Sequence, residues 1–205
     1  MKKIKVLIFD LGGVVIDLHI DRTLKRFAEI AGVDLEKLMI SYGQPEFFRQ
    51  YEKGLISTAE FRHEINEYLH TNLDDAEIDN AWNSMLGEIP KHRVEKLMSL
   101  RDSFQLMLLS NTNDLHLSRF NEILHQSSGI AAMDEVFHKV YYSNEVKMRK
   151  PDAEIFRHVI DDNALNPAEF LFLDDTMENL KGAQKLGIQT FHVTHPEIWI
   201  THFNE

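Results

Sequence analysis

The chain of 205 residues contains no cysteine. Disulfides and thiolate metal centres are thereby excluded, and a reducing cytoplasm is the compartment this composition fits. Cationic side chains are scarce as well: 22 Lys and Arg stand against 33 Asp and Glu, a formal net charge of −11. Such a field opposes nonspecific nucleic-acid binding and attraction to anionic membranes, so neither is expected as a partner. No stretch reaches the roughly 18 consecutive apolar residues of a membrane helix. The opening, Met1-Lys2-Lys3-Ile4-Lys5 followed by Val6-Leu7-Ile8-Phe9, superficially suggests a signal peptide. Its apolar run is short, rich in β-branched residues and without a small-residue cleavage site, so it reads as a first core strand. An anionic substrate would need locally placed cations, which one lysine and a bound divalent metal can provide.

What is present points to an α/β chain. Hydrophobic content of 43% with 27% charged residues is ordinary for a globular protein, and the length holds one α/β domain plus a smaller insertion. Short apolar runs recur at Ile4 to Phe9, Gln105 to Leu109, Val140 to Tyr142, Phe170 to Leu173 and Gln189 to Val193. From the second onward, helical spacing separates them, as in Asp152 to Asp162 and Thr176 to Leu186. Buried strands alternating with helices predict a Rossmann-like parallel sheet covered on both faces, with ligands beyond the carboxyl ends of its strands.

Between the first and second runs lies a long interval without a strand signal. Asp21 to Ala31, Asp34 to Ile40, Pro45 to Lys53, Ser57 to His70, Asp74 to Leu86 and Lys91 to Leu100 each have helical apolar spacing. Ser57 and Glu60 form a capping-box pattern, and Asp34, Asp74 or Asp75 can cap the others. The expected organisation is a core of residues 1–15 and 89–205 with an α-helical insertion, a cap, at residues 16–88.

Four segments carry chemistry: Phe9-Asp10-Leu11-Gly12-Gly13-Val14-Val15, Leu109-Ser110-Asn111-Thr112, Lys150-Pro151-Asp152 and Leu173-Asp174-Asp175. Each is ordinary alone, as a turn, an N-cap string or a solvated helix start. All four at strand ends in one chain describe a phosphate-handling site. Asp10 can attack a phosphoryl group to give an acyl-phosphate, or ligate Mg²⁺. Asp174 and Asp175 repel each other unless a cation is present, which a metal rationalises. Ser110 and the amides after it can donate to phosphate oxygens, and Lys150 can neutralise the nucleophile and the transferring group.

The order and identity of these segments resemble the haloacid dehalogenase-like (HAD) hydrolase superfamily over nearly the whole chain. Phe9 to Asp17, Tyr51-Glu52-Lys53-Gly54-Leu55-Ile56-Ser57 and Phe170 to Asp175 look like the subgroup containing glucose-1-phosphate phosphatases and the amino-terminal domain of soluble epoxide hydrolases. That resemblance implies Asp10 as nucleophile and metal ligand, the Gly12 backbone carbonyl and Asp175 as further Mg²⁺ ligands, and Asp174 acting through water or by orienting Lys150. It also implies Ser110 and Asn111 as phosphate-binding residues, Lys150 as the cationic clamp and Asn179 as support for the carboxylates. The expected activity is Mg²⁺-dependent hydrolysis of small phosphorylated metabolites, sugar phosphates among them, by a monomer or homodimer.

One position departs from the pattern. In most phosphatases of this superfamily an Asp, two residues after the nucleophile, serves as general acid and base; here it is Gly12. A backbone metal contact survives that change and a side-chain proton relay does not, a loss worth about 10²–10⁴-fold. Asp17 is near in sequence, but the intervening chain is expected to carry it away. Gly12 supports one alternative, a catalytically impaired HAD-like protein that binds a metabolite or a partner. A 2-haloacid dehalogenase fits less well, because Asp174 and Asp175 would repel an anionic haloacid. A phosphorylation-switch receiver domain fails on motif order. In the insertion, Tyr42, Phe47, Phe48, Arg49, Tyr51 and Lys53 make an aromatic and basic stretch, read mainly as packing. His192, His195 and His202 lack zinc spacing, and Trp199 is expected to anchor the last segment on the core.

Overall fold

Val6, Leu7, Ile8 and Phe9 are wholly removed from solvent in the computed structural model, which describes residues 3–36, 38 and 45–203. Strand alternation sends Leu7 and Phe9 into one hydrophobic cluster and Val6 and Ile8 into another, on opposite faces of a sheet. An uninterrupted apolar run is what a strand covered on both sides requires.

In chain order the elements are β1 (Val6–Phe9), α1 (Ile20–Ala31), α2 (Glu46–Glu52), α3 (Thr58–Leu69), α4 (Asp75–Asn83), α5 (Lys91–Leu100), β2 (Gln105–Ser110) and α6 (Asp114–Ser128). There follow α7 (Met133–Val136), β3 (Lys139–Tyr142), α8 (Ser143–Val146), α9 (Ala153–Asn163), β4 (Phe170–Asp174), α10 (Met177–Gln184), β5 (Gln189–His192) and α11 (Ile198–His202). The five strands form one parallel sheet in the order β3-β2-β1-β4-β5. This is the α/β, Rossmann-like architecture expected from the alternating pattern. Trp199 is buried against Phe9, edge to face at 5.1 Å, and its indole N–H donates to the Val14 carbonyl at 3.1 Å. The last segment is therefore anchored as expected.

The helices between β1 and α5 bury a third cluster that includes Leu24, Phe27, Phe47, Tyr51, Phe61 and Trp82. Tyr51 stacks on Phe61 at 4.1 Å and Phe48 on Trp82 at 5.4 Å, pairs each worth about 0.5–1.5 kcal/mol beyond area burial. The aromatic stretch is thus packing, as the sequence suggested; Tyr42 lies outside the described residues. The capping box holds α3, with the Glu60 N–H donating to Ser57 Oγ and the Ser57 N–H to Glu60 Oε2. Asp74 and Glu77 repeat the device on α4.

Two adjacent backbone segments connect these helices to the sheet. Asp17 N–H donates to Glu88 O, Gly87 N–H to Asp17 O and His19 N–H to Met85 O, at 2.7–2.9 Å. Arg93, buried on α5, fixes the outgoing segment through the Asp17 carboxylate at 2.7 Å and the Val15 carbonyl. Among the described residues no helix is long and apolar enough to cross a membrane.

Candidate active site at the strand ends

Asp10 stands one residue beyond β1, Ser110 ends β2 and Asp174 ends β4, so three neighbouring strands deliver three polar side chains to one edge of the sheet. Asp10 is held in register by its N–H, which donates to Leu173 O at 2.8 Å. Its Oδ1 accepts from the Leu11 N–H at 2.6 Å and lies 2.8 Å from Lys150 Nζ. Among the described residues Oδ2 has no partner, which leaves one carboxylate oxygen free.

Lys150, nearly wholly buried between α8 and α9, places Nζ 2.8 Å from both Asp10 and Asp174. Asp174 is inaccessible and fully satisfied: Asn179 Nδ2 donates to both its oxygens at 3.0 and 3.1 Å, and the Thr176 N–H donates to Oδ1 at 2.8 Å. Asn111 spends its amide on the lysine backbone, Nδ2 donating to Lys150 O and Oδ1 accepting from Lys150 N–H, each at 2.9 Å. Asp175 is exposed and its carboxylate lies over Gly13. A Cβ there would sit 2.5 Å from Asp175 Oδ2, and φ is +68°, so only glycine serves at that turn.

Asp10, Asp174 and Asp175 each offer a carboxylate oxygen, and the three lie within 4.8 Å of one another. One ammonium faces them, so the cluster carries two excess negative charges when all three acids are ionised. The strain is visible in proton affinity. Burial, reinforced by Asp174 and Asp175 and opposed by Lys150, pushes the Asp10 carboxyl up to about 8. Burial and the Asp174 charge raise Asp175 as well. Burial works against the Lys150 charge, yet Asp10 and Asp174 prevail and raise it. An all-oxygen set with this excess suits a hard divalent cation such as Mg²⁺.

The remaining predicted residues divide. Ser110 is buried with its hydroxyl only 3.5 Å from Asn111 O, a weak contact that leaves it available to a ligand. At Gly12 the space for a side chain is open except for Leu18: an added Cβ would lie 3.3 Å from Leu18 Cδ2. Asp17 is drawn off to Arg93, as expected from the intervening chain. His192 Nε2 contacts Asp175 O at 3.1 Å and His202 packs on Phe191 and Phe203.

A cavity of about 240 Å³ opens beside this site, with Gly12, Ser110 and Asn111 on the sheet side. Leu18, Met85 and Trp82 come from the helices between β1 and α5 and their connecting segments. Two further lining residues were not given a role by the sequence. His116 stacks on Trp82 at 5.0 Å, and burial drives its imidazole down to about 4, so it is neutral. Glu52, at the end of α2, pairs through Oε2 with Arg149 Nε at 2.8 Å. The run Tyr51 to Ser57 was legible as a motif, but nothing local to it indicates a partner 97 residues away.

Comparison with known proteins bears on this geometry. A family model described as haloacid dehalogenase-like hydrolase matches residues 4–187. The chain is 30% identical over 196 residues to the D-ribitol-5-phosphate phosphatase of Bacteroides thetaiotaomicron, spanning 96% of this chain and 95% of that one. It is 26% identical over 193 residues to the sesquiterpene phosphatase of Aspergillus oryzae, spanning 93% and 90%. Among solved structures, a HAD family enzyme of Bacteroides thetaiotaomicron in complex with magnesium and inorganic phosphate superposes with a TM-score of 0.85. The two are 38% identical, over 98% of this chain and 99% of that one.

Proposed function

Since the chain belongs to the haloacid dehalogenase-like hydrolase family, we propose that it is a Mg²⁺-dependent phosphatase of small phosphorylated metabolites, with sugar and polyol phosphates as the substrate class. The observation that carries this reading is the Asp10, Asp174 and Asp175 cluster closed around Lys150. The phosphatases among its relatives and the magnesium and phosphate bound to a structural neighbour support it.

Asp10 attacks phosphorus through Oδ2, the oxygen not engaged by Leu11 and Lys150. The ester P–O bond breaks, the leaving oxygen takes a proton from water, and an aspartyl-phosphate remains on Asp10. Water then displaces the carboxylate and inorganic phosphate departs. Ser110 and the backbone amides after it donate to phosphoryl oxygens, and Asn111 serves through the Lys150 backbone. Lys150, kept protonated by Asp10 and Asp174, faces the charge that builds on the phosphoryl group. Asp10, Asp175 and the Gly12 carbonyl would hold Mg²⁺, with Asp174 acting through Lys150 or a water; the ion supplies charge compensation when bound. The helices of residues 16–88 form a cap over the core of residues 1–15 and 89–205, excluding water and selecting the leaving group.

The test is phosphate release from an aryl phosphate and a sugar- and polyol-phosphate panel, with and without Mg²⁺, comparing wild type with Asp10→Asn. Metal-dependent turnover that the substitution abolishes is the expected result. Folded protein that binds Mg²⁺ yet turns over nothing would replace this reading with a binding role.

A further inference from the structure

The polar atoms of the cavity can be accounted for one by one. Asn111 has given both ends of its amide to the Lys150 backbone. Asn113 Oδ1 accepts from Trp82 Nε1 and the His116 N–H, and its Nδ2 faces His116 Nδ1. His116 Nε2 faces the Trp82 carbonyl at 3.3 Å, so both ring nitrogens are committed. Ser110 adjoins Asp10 and belongs to the phosphoryl end. Much of the remaining wall is apolar, with Leu18, Ile20, Met85, Leu86 and Phe120. Among the described lining residues, the side-chain polar atoms that remain without a hydrogen bond are the Thr112 hydroxyl and Glu52 Oε1.

Glu52 is fixed where it stands. Arg149 Nε donates to Oε2, and the Glu52 carbonyl accepts from Ser143 Oγ at 2.6 Å. The next turn is pressed on the core, where Lys147 Nζ donates to Gly54 O at 2.7 Å. At Gly54, with φ +59°, an added Cβ would fall 2.3 Å from Asn144 O. The cap thus presents a carboxylate of set position, one oxygen neutralised by Arg149 and the other without a partner among the described residues.

We propose that Glu52 reads the leaving group: Oε1 accepts a hydrogen bond from one of its hydroxyls, making the cavity selective for polyhydroxylated leaving groups over alkyl chains of equal length. This rests on the phosphatase reading above. A hydroxyl that enters gains a charge-assisted bond, whereas a methylene in its place leaves a carboxylate oxygen desolvated and unpaired, so the discrimination is about 10–100-fold.

The test measures kcat/KM for a pentitol 5-phosphate and for n-pentyl phosphate, substrates of one chain length, and follows their ratio. Glu52→Met and Arg149→Met both break the ion pair, but only the first removes the acceptor. The ratio is expected to collapse at least about tenfold in Glu52→Met and to stay within about threefold of wild type in Arg149→Met. A ratio preserved in Glu52→Met, or lost equally in both, overturns the assignment, since a merely structural ion pair affects both substrates alike. Should Glu52→Met fail to fold, Glu52→Asp keeps the charge, shortens its reach by one methylene and must lower the same ratio. A wild type with a ratio near one overturns the role of Glu52 alone. A wild type inactive on both substrates overturns the phosphatase reading and this one with it.

Discussion

Asn111 grips Lys150 by its main chain: one amide group donates to the lysine carbonyl and accepts from the lysine N–H, both at 2.9 Å. The ammonium that faces Asp10 is therefore positioned from the end of β2, although the lysine itself lies on a loop before α9. Asn111→Ala removes both bonds, leaves buried backbone groups unpaired and is expected to cost about 1–3 kcal/mol of stability. Turnover should suffer more, by about 10²-fold in kcat, since displacing Nζ by about 1 Å misaligns it. Stopped-flow or steady-state kcat on a saturating aryl phosphate checks this, and a value within twofold of wild type would sink it.

Gly12 and Leu18 share one space. With an acid absent at residue 12, aryl phosphates, whose leaving groups need no proton, are expected to outpace alkyl phosphates by a wide margin. An aspartate at that position meets only the far end of a flexible leucine and no left-handed backbone. Gly12→Asp should raise kcat/KM on alkyl phosphates by about 10²-fold with little change on aryl ones. Adding Leu18→Ala should increase the gain. Equal wild-type rates on both classes would remove the premise.

His116 sets a pH dependence of stability. Its imidazole titrates near 4 in the fold because it is buried, against about 6.5 when unfolded. Between these values the unfolded chain binds a proton that the folded chain refuses. Stability from this group is thus fully present above pH 6.5 and drains as pH falls toward 4, by about 1.4 kcal/mol per unit. His116→Phe keeps a ring on Trp82 and removes the proton site. Urea unfolding at pH 6.5 and 5 should show the variant losing about 2 kcal/mol less than wild type over that interval. Parallel losses would refute the assignment.

Metal binding has a readout apart from turnover. If Mg²⁺ binds, at about a hundred times its dissociation constant it would stabilise the fold by about 2.7 kcal/mol, or about 5–10 °C in Tm for a chain of this size. Chelator-treated protein should gain that increment on adding Mg²⁺, and Asp175→Asn should forfeit most of it. An undiminished gain in the variant would take Asp175 out of the ligand set.

The sheet was legible because its strands are short and bounded by turn residues, and the central three, β1, β2 and β4, are almost wholly buried. α5 runs over Lys91–Leu100, the span its apolar spacing predicts, and Ser57 with Glu60 and Asp74 with Glu77 cap as their local patterns require. Asp10, Ser110, Asp174 and Asp175 were legible for a related reason, since each ends or directly follows a strand and topology gathers them; Lys150 was legible from its Lys-Pro-Asp segment before a helix. The short helices α7, α8 and α11 had no periodic signal, being about one turn long. Glu52 and Arg93 escaped because their meaning lies in partners 97 and 76 residues away. His116 looked like one histidine among eleven until Trp82 was placed beside it.

The place of β1 at the centre of the sheet has a consequence for how the chain is made. Val6 pairs with Gln105 on one side and Phe170 on the other. At roughly 5–20 residues per second, a ribosome needs about 5–20 s to deliver the first of these neighbours, and longer for the second. Throughout that interval the most apolar strand of the protein has emerged with no edge to join. The helices that follow it bury a cluster of their own and can condense meanwhile. Asp10 thus emerges well before either neighbour of its strand, and the carboxylates of Asp10, Asp174 and Asp175 meet only once translation has passed Asp175.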